Sequence, residues 1–129
     1  MAGVILLVYV GSFILTLSFK RRLLRRLQEY STISDIEIAD KLDYSIEYIR
    51  NMLSSLSRNQ KRKKWLIVNL NRRYVFFNEH AVEIFKDLYR RGYNEKKILE
   101  NMQLEMRIRS RAEVKAIEDT LANQNRLNS

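Results

Sequence analysis

Between Arg50 and Asn78 the chain carries eight cations (Arg50, Arg58, Lys61, Arg62, Lys63, Lys64, Arg72 and Arg73) and no acid. Guanidinium and ammonium groups at this density neutralise phosphates, so the chemistry on offer is polyanion binding rather than bond breaking. The preceding stretch is the opposite. Glu29, Asp35, Glu37, Asp40, Asp43 and Glu47 stand against a single cation, Lys41. The whole chain of 129 residues has a formal charge of +9, which makes nucleic acid or an anionic surface the expected partner without choosing between them.

Catalytic chemistry finds little support. The chain has no cysteine, which excludes disulfides, thiol nucleophiles and cysteine-ligated metal. His80 is the one histidine, so histidine-pair metal sites and most His-dependent catalytic arrangements are also excluded. Three glycines, two of them before residue 12, leave no glycine-rich phosphate loop. We expect no catalytic residues, no metal, no cofactor and no enzyme activity.

The elements that must hold the cations begin with an apolar run. Residues 2–19 lack any charged side chain, and as a helix they would span about 27 Å at 1.5 Å per residue, close to a hydrocarbon core of about 30 Å. Lys20, Arg21, Arg22, Arg25 and Arg26 follow at once as a membrane flank, whereas a cleaved signal peptide would carry its charge in front. The expectation is a single-pass transmembrane helix with the N-terminus outside and the rest on the cytoplasmic, stromal or matrix side, making the lipid bilayer a partner.

Helical spacing continues through Leu23, Leu24, Leu27 and Tyr30. Ser31-Thr32 and Ser34-Asp35 are both N-cap types ahead of a short helix with Ile36, Ile38, Ala39 and Leu42, and Ser45 caps a second with Ile46, Ile49, Met52, Leu53 and Leu56. The two are joined by a tight turn at Asp43-Tyr44-Ser45. Residues 65–70 and 74–77 read as two strands of a hairpin with Asn71-Arg72-Arg73 at its tip. Trp65, Tyr74, Phe76 and Phe77 could stack on bases but fit a core better. Further stripes at Ala81, Ile84, Phe85 and Leu88, at Ile98, Leu99 and Met102, and at Val114, Ile117 and Leu121 predict three more helices, with Gly92 as a C-cap and Asn94 as an N-cap. Residues 103–111 read as loop or short strand.

Residues 38–53 (IADKLDYSIEYIRNML) resemble the helix-turn-helix signature of winged-helix proteins, with small Ala39 at the helix crossing and Leu42, Tyr44, Ile49 and Met52 at the apolar positions. Asp43 stands where that turn usually has glycine. The resemblance implies a winged-helix domain of three helices and a hairpin (20–78), and with the apolar run and the C-terminal stripes the expected fold is mainly α: a transmembrane helix (2–19), that domain, a C-terminal amphipathic helical extension (79–123) and a frayed tail (124–129). It also implies that Arg50 and Asn51 read base edges while Ser54, Arg58, Lys61, Arg62, Lys63, Lys64, Arg72 and Arg73 contact the remaining DNA surface. Glu47 opposes that reading, and winged helices also serve as protein-interaction modules, including in PCI-type scaffold subunits. The expectation is therefore a membrane-anchored regulator binding double-stranded DNA. The alternative is a non-enzymatic scaffold subunit of a membrane complex, with a homodimer or partner subunits engaged through the C-terminal helices.

Overall fold

The computed structural model describes residues 17–127. Helix α1 occupies residues 17–27, followed by β1 (Thr32–Ser34), α2 (Asp35–Leu42), α3 (Ile46–Ser57), β2 (Leu66–Leu70), β3 (Arg73–Phe77), α4 (Glu79–Arg90), α5 (Glu95–Met106) and α6 (Arg111–Asn123). Side-chain oxygens start helices α2 to α6. Ser34, Ser45, Asn78, Asn94 and Ser110 accept from the amides of Glu37, Tyr48, Ala81, Lys97 and Glu113, satisfying donors that have no intrahelical partner. Asp43, at φ 58°, ends α2 in the left-handed region, and Gly92, at φ 80°, does so after α4.

The sheet is antiparallel in the order β1-β3-β2. Leu70 pairs with Arg73, so the hairpin turn is only Asn71-Arg72, both at positive φ (51° and 66°), as a two-residue turn matched to strand twist requires. Arg73, expected at the tip, lies in the strand. Strand β1 was not legible in the sequence, because three residues are too few to show an alternation. Both sheet faces are covered, which is why the strands read as nearly continuous apolar runs. Ile33, Ile67 and Phe76 pack with Leu23, Leu27, Ile38, Ile49 and Leu53 on the α1–α3 side. Leu66, Val68, Val75 and Phe77 pack with Val82, Phe85, Met102, Val114, Ile117 and Leu121 on the α4–α6 side. The C-terminal helices thus cover the second face of the sheet, and Trp65, Phe76 and Phe77 are core residues.

Three expectations are corrected. Among the described residues no helix is long and apolar enough to cross a membrane, so the single-pass transmembrane fold class, the N-outside placement and the bilayer partner lose their basis. Residues 2–16 of the expected span lie outside the described residues. Its described end belongs to α1, which turns Leu23 and Leu27 into the protein core and sets Phe19 against the rings of Tyr44 and Tyr48, both at 5.2 Å between centroids. An apolar helical face is satisfied equally by lipid or by protein; here protein covers Leu23 and Leu27, which follow the expected span, while within it Phe19 is half-buried and Leu17 is 39% exposed. The segment 103–106, expected as loop or strand, completes α5 with Met106 buried. Residues 124–127, expected to fray, are held by the burial of Arg126 and Leu127.

Candidate nucleic-acid interface

The densest positive charge lies on the turn that joins α3 to β2. Gln60 is buried among the cations, only 3% exposed, and its side-chain amide bonds Ile67 in both directions: Nε2 donates to the Ile67 carbonyl at 2.9 Å and Oε1 accepts from the Ile67 amide at 2.7 Å. Strand β2 pairs with β3 on one side only, and Gln60 supplies the missing ladder partner on the other. The Lys63 amide closes the turn on the Gln60 carbonyl at 2.9 Å.

A second clamp comes from the far end of the chain. The Arg126 guanidinium donates to the Trp65 carbonyl at 2.8 Å, to the Gln60 carbonyl at 3.4 Å and to Gln124 Oε1 at 2.9 Å. Burial lowers the pKa of this group, the cost of taking a cation out of water, and the converging oxygens offset it. Residues 60–65 are therefore anchored at both ends, and Lys61, Arg62, Lys63 and Lys64 project from a fixed turn into solvent. Between this turn and α4 lies an open cleft of about 270 Å³ lined by those four residues with Lys86, Arg126, Val82 and Glu83. Six cations face one carboxylate. The Lys64–Glu79 pair at 3.6 Å is exposed on both sides and holds its lysine weakly.

The other expected contacts are dispersed. Arg50 does not project freely: its Nε donates to Asp35 Oδ2 at 2.8 Å, and Asp35 is 0% exposed. The same carboxylate accepts from the Tyr74 amide at 3.0 Å and, through Oδ1, from the Ile36 amide at 2.7 Å. Because Ser34 pairs with Val75, Asp35 falls where β1 would meet Tyr74, and its side chain replaces the strand carbonyl as the backbone turns into α2. Asn51 and Arg58 are exposed on and just after α3, and Ser54 is half-buried. Arg72 is exposed on the hairpin turn, whereas Arg73 lines a separate cavity with Thr32 and Ser34; neither lines the cleft. Of the expected membrane flank, Lys20 donates to Ser55 Oγ at 2.6 Å, joining α1 to α3, while Arg21, Arg22, Arg25 and Arg26 are exposed along α1.

Sequence reasoning missed Gln60, Lys86, Arg126 and Asp35. Lys86 had a signal, since it follows Val82 by one helical turn on the buried side of α4. The others had none. Asp35 looked like one more acid of an acidic stretch, and Arg126 sits in a polar tail without periodicity. Among the described residues no group of three or more His, Cys, Asp or Glu could hold a metal. Comparison of the chain with protein-family models, with curated proteins and with solved structures returned no match, so the functional reading rests on the geometry.

Proposed function

We propose that the chain is a nucleic-acid-binding protein of winged-helix type that grips the phosphate backbone of double-stranded DNA with the anchored turn at residues 60–65, in a regulatory or tethering role. Three helices followed by a hairpin, with a left-handed residue at Asp43 between the second and third, agree with the helix-turn-helix resemblance. The observation that carries the proposal is the double anchoring of the basic turn by Gln60 and Arg126, which holds four adjacent cations at the rim of a cleft that also contains Lys86. A charge run that merely solvates a surface needs no buried polar clamps, whereas preorganised cations reach phosphates without first losing conformational freedom. Base reading falls to Asn51 with Arg58 beside it, because Arg50 is engaged by Asp35.

Binding of the full chain to duplex DNA across a salt series tests this. The logarithm of the binding constant should fall with the logarithm of salt by about 0.9 per phosphate contacted, and Lys61→Gln/Lys63→Gln should flatten the slope by about 2. No binding at about 0.15 M salt, or a slope indifferent to the double substitution, overturns the proposal. One observation favours a protein ligand instead: Tyr44 and Tyr48 are exposed at the start of α3, stacked at 5.4 Å, with Glu47 exposed between them in sequence. Such a surface suits a protein partner better than a groove lined by phosphates. Tyr44→Ala/Tyr48→Ala should leave the salt slope unchanged if DNA is the ligand of the basic turn.

A further inference from the structure

Away from the basic turn, a small cavity of about 50 Å³ lies at the β1 edge, between the sheet and the connector from α5 to α6. Its lining includes Thr32, Arg73, Arg107, Arg109 and two carboxylates, Glu37 and Glu113. Thr32 is 9% exposed and its hydroxyl is buried without a hydrogen-bond partner among the described residues. Leaving a buried hydroxyl unpaired is costly, and such groups are uncommon in folded proteins.

The carboxylates are already engaged. Glu37 accepts from the Ser34 hydroxyl at 3.2 Å and pairs with Arg107 at 3.6 Å, while Glu113 accepts from the Arg109 amide at 3.2 Å. The guanidinium groups of Arg73 and Arg109 make no ion pair or side-chain hydrogen bond among the described residues. Thr32, whose hydroxyl is unsatisfied, and two arginines with uncommitted guanidinium groups therefore line a space several times the roughly 10–15 Å³ that admits a single water. That space accommodates a tetrahedral anion. Guanidinium forks with a neighbouring hydroxyl are the donor set suited to phosphate oxygens.

We propose that this cavity binds a phosphate group, with the Thr32 hydroxyl donating to one oxygen and Arg73 and Arg109 supplying the charge. The site is independent of the cleft at residues 60–65 and of the nucleic-acid reading. Binding there ties the sheet edge to the α5–α6 connector and so stabilises the folded chain by mass action.

Thermal unfolding of the full chain in inorganic phosphate and in chloride, at equal ionic strength and pH 7, provides the test. A saturable rise in Tm with phosphate is expected for the parent and, undiminished, for Lys61→Gln/Lys64→Gln. Arg109→Gln, at an exposed position, should weaken the apparent affinity tenfold or more, the loss expected for one charge-assisted hydrogen bond. Thr32→Val should weaken phosphate binding similarly while leaving the Tm in chloride equal or higher, since it removes a hydroxyl that has no partner. Phenyl phosphate distinguishes the source: a matching rise indicates a site open to phosphate esters, no rise a site for the free ion, and both fit the proposal. The proposal is overturned by no saturable rise in phosphate, by unchanged affinity in Thr32→Val and Arg109→Gln, or by loss of the rise only in the lysine variant.

Discussion

Replacing Arg50 by alanine should unfold the protein more readily before it changes any recognition of DNA. The substitution removes the 2.8 Å bond from Arg50 Nε to Asp35 Oδ2 and leaves a carboxylate of 0% exposure with the amides of Ile36 and Tyr74 as its remaining donors. Breaking a buried ion pair by deleting one partner costs about 3–5 kcal/mol, because the surviving charge is stranded. Arg50 is itself 38% exposed, so water can enter the vacated position and lower the penalty. The expected loss is about 2–3 kcal/mol, which for a domain of this size shifts a urea midpoint by on the order of 1–2 M. Asp35→Asn should cost at least as much, since the amide nitrogen would face donors in place of an acceptor. A double-mutant cycle with both substitutions should show coupling of about 2 kcal/mol. The assay pairs urea unfolding with duplex binding measured where each variant is fully folded. If Arg50→Ala keeps its midpoint within about 0.3 M of the parent yet loses sequence preference, Arg50 reads bases and the role assigned to Asp35 is wrong.

Two further outcomes follow from the same geometry. Arg126→Met removes the bonds to the Trp65 and Gln60 carbonyls, and should destabilise the protein by about 2–4 kcal/mol while raising amide hydrogen exchange at Lys63; unchanged exchange there would mean that the turn is held by Gln60 alone. Arg72→Gly places the residue best suited to a left-handed backbone at φ 66° and should raise stability by about 0.5–1 kcal/mol in urea unfolding, whereas a loss of stability would show that the arginine side chain makes a contact worth more than the relief of its backbone.

Local chemistry carried much of the fold into the sequence. Ser45, Asn94 and Gly92 mark helix ends because capping depends on residues within one turn of each other, and the apolar stripes of α3, α4 and α6 mark buried faces because helical spacing is a local property. The aromatic run at residues 65–77 similarly announced two strands, but that both their faces are covered came from the packing. The segregation of acids from cations was also plain, and it pointed to the basic run that lines the cleft.

What the stripes could not disclose was what covers them. An uncharged run ending at Phe19 has the same hydropathy whether lipid or protein lies against it, and only the packing of Phe19 on Tyr44 and Tyr48 shows that protein meets its end. Charge has the same ambiguity, since a cation in sequence carries no record of its partner. Arg50 meets Asp35 across 15 residues, Arg126 meets Trp65 across 61, and Arg73 leaves the hairpin tip for a cavity once the two-residue turn sets the strand register. The sequence by itself determined most of the helices, the hairpin and the sign of the charge on each; the tertiary structure decided the short strand β1, the full length of α5, and which charges are anchored, which are clamps and which remain open to a ligand, because those outcomes depend on distances between segments that no local pattern encodes.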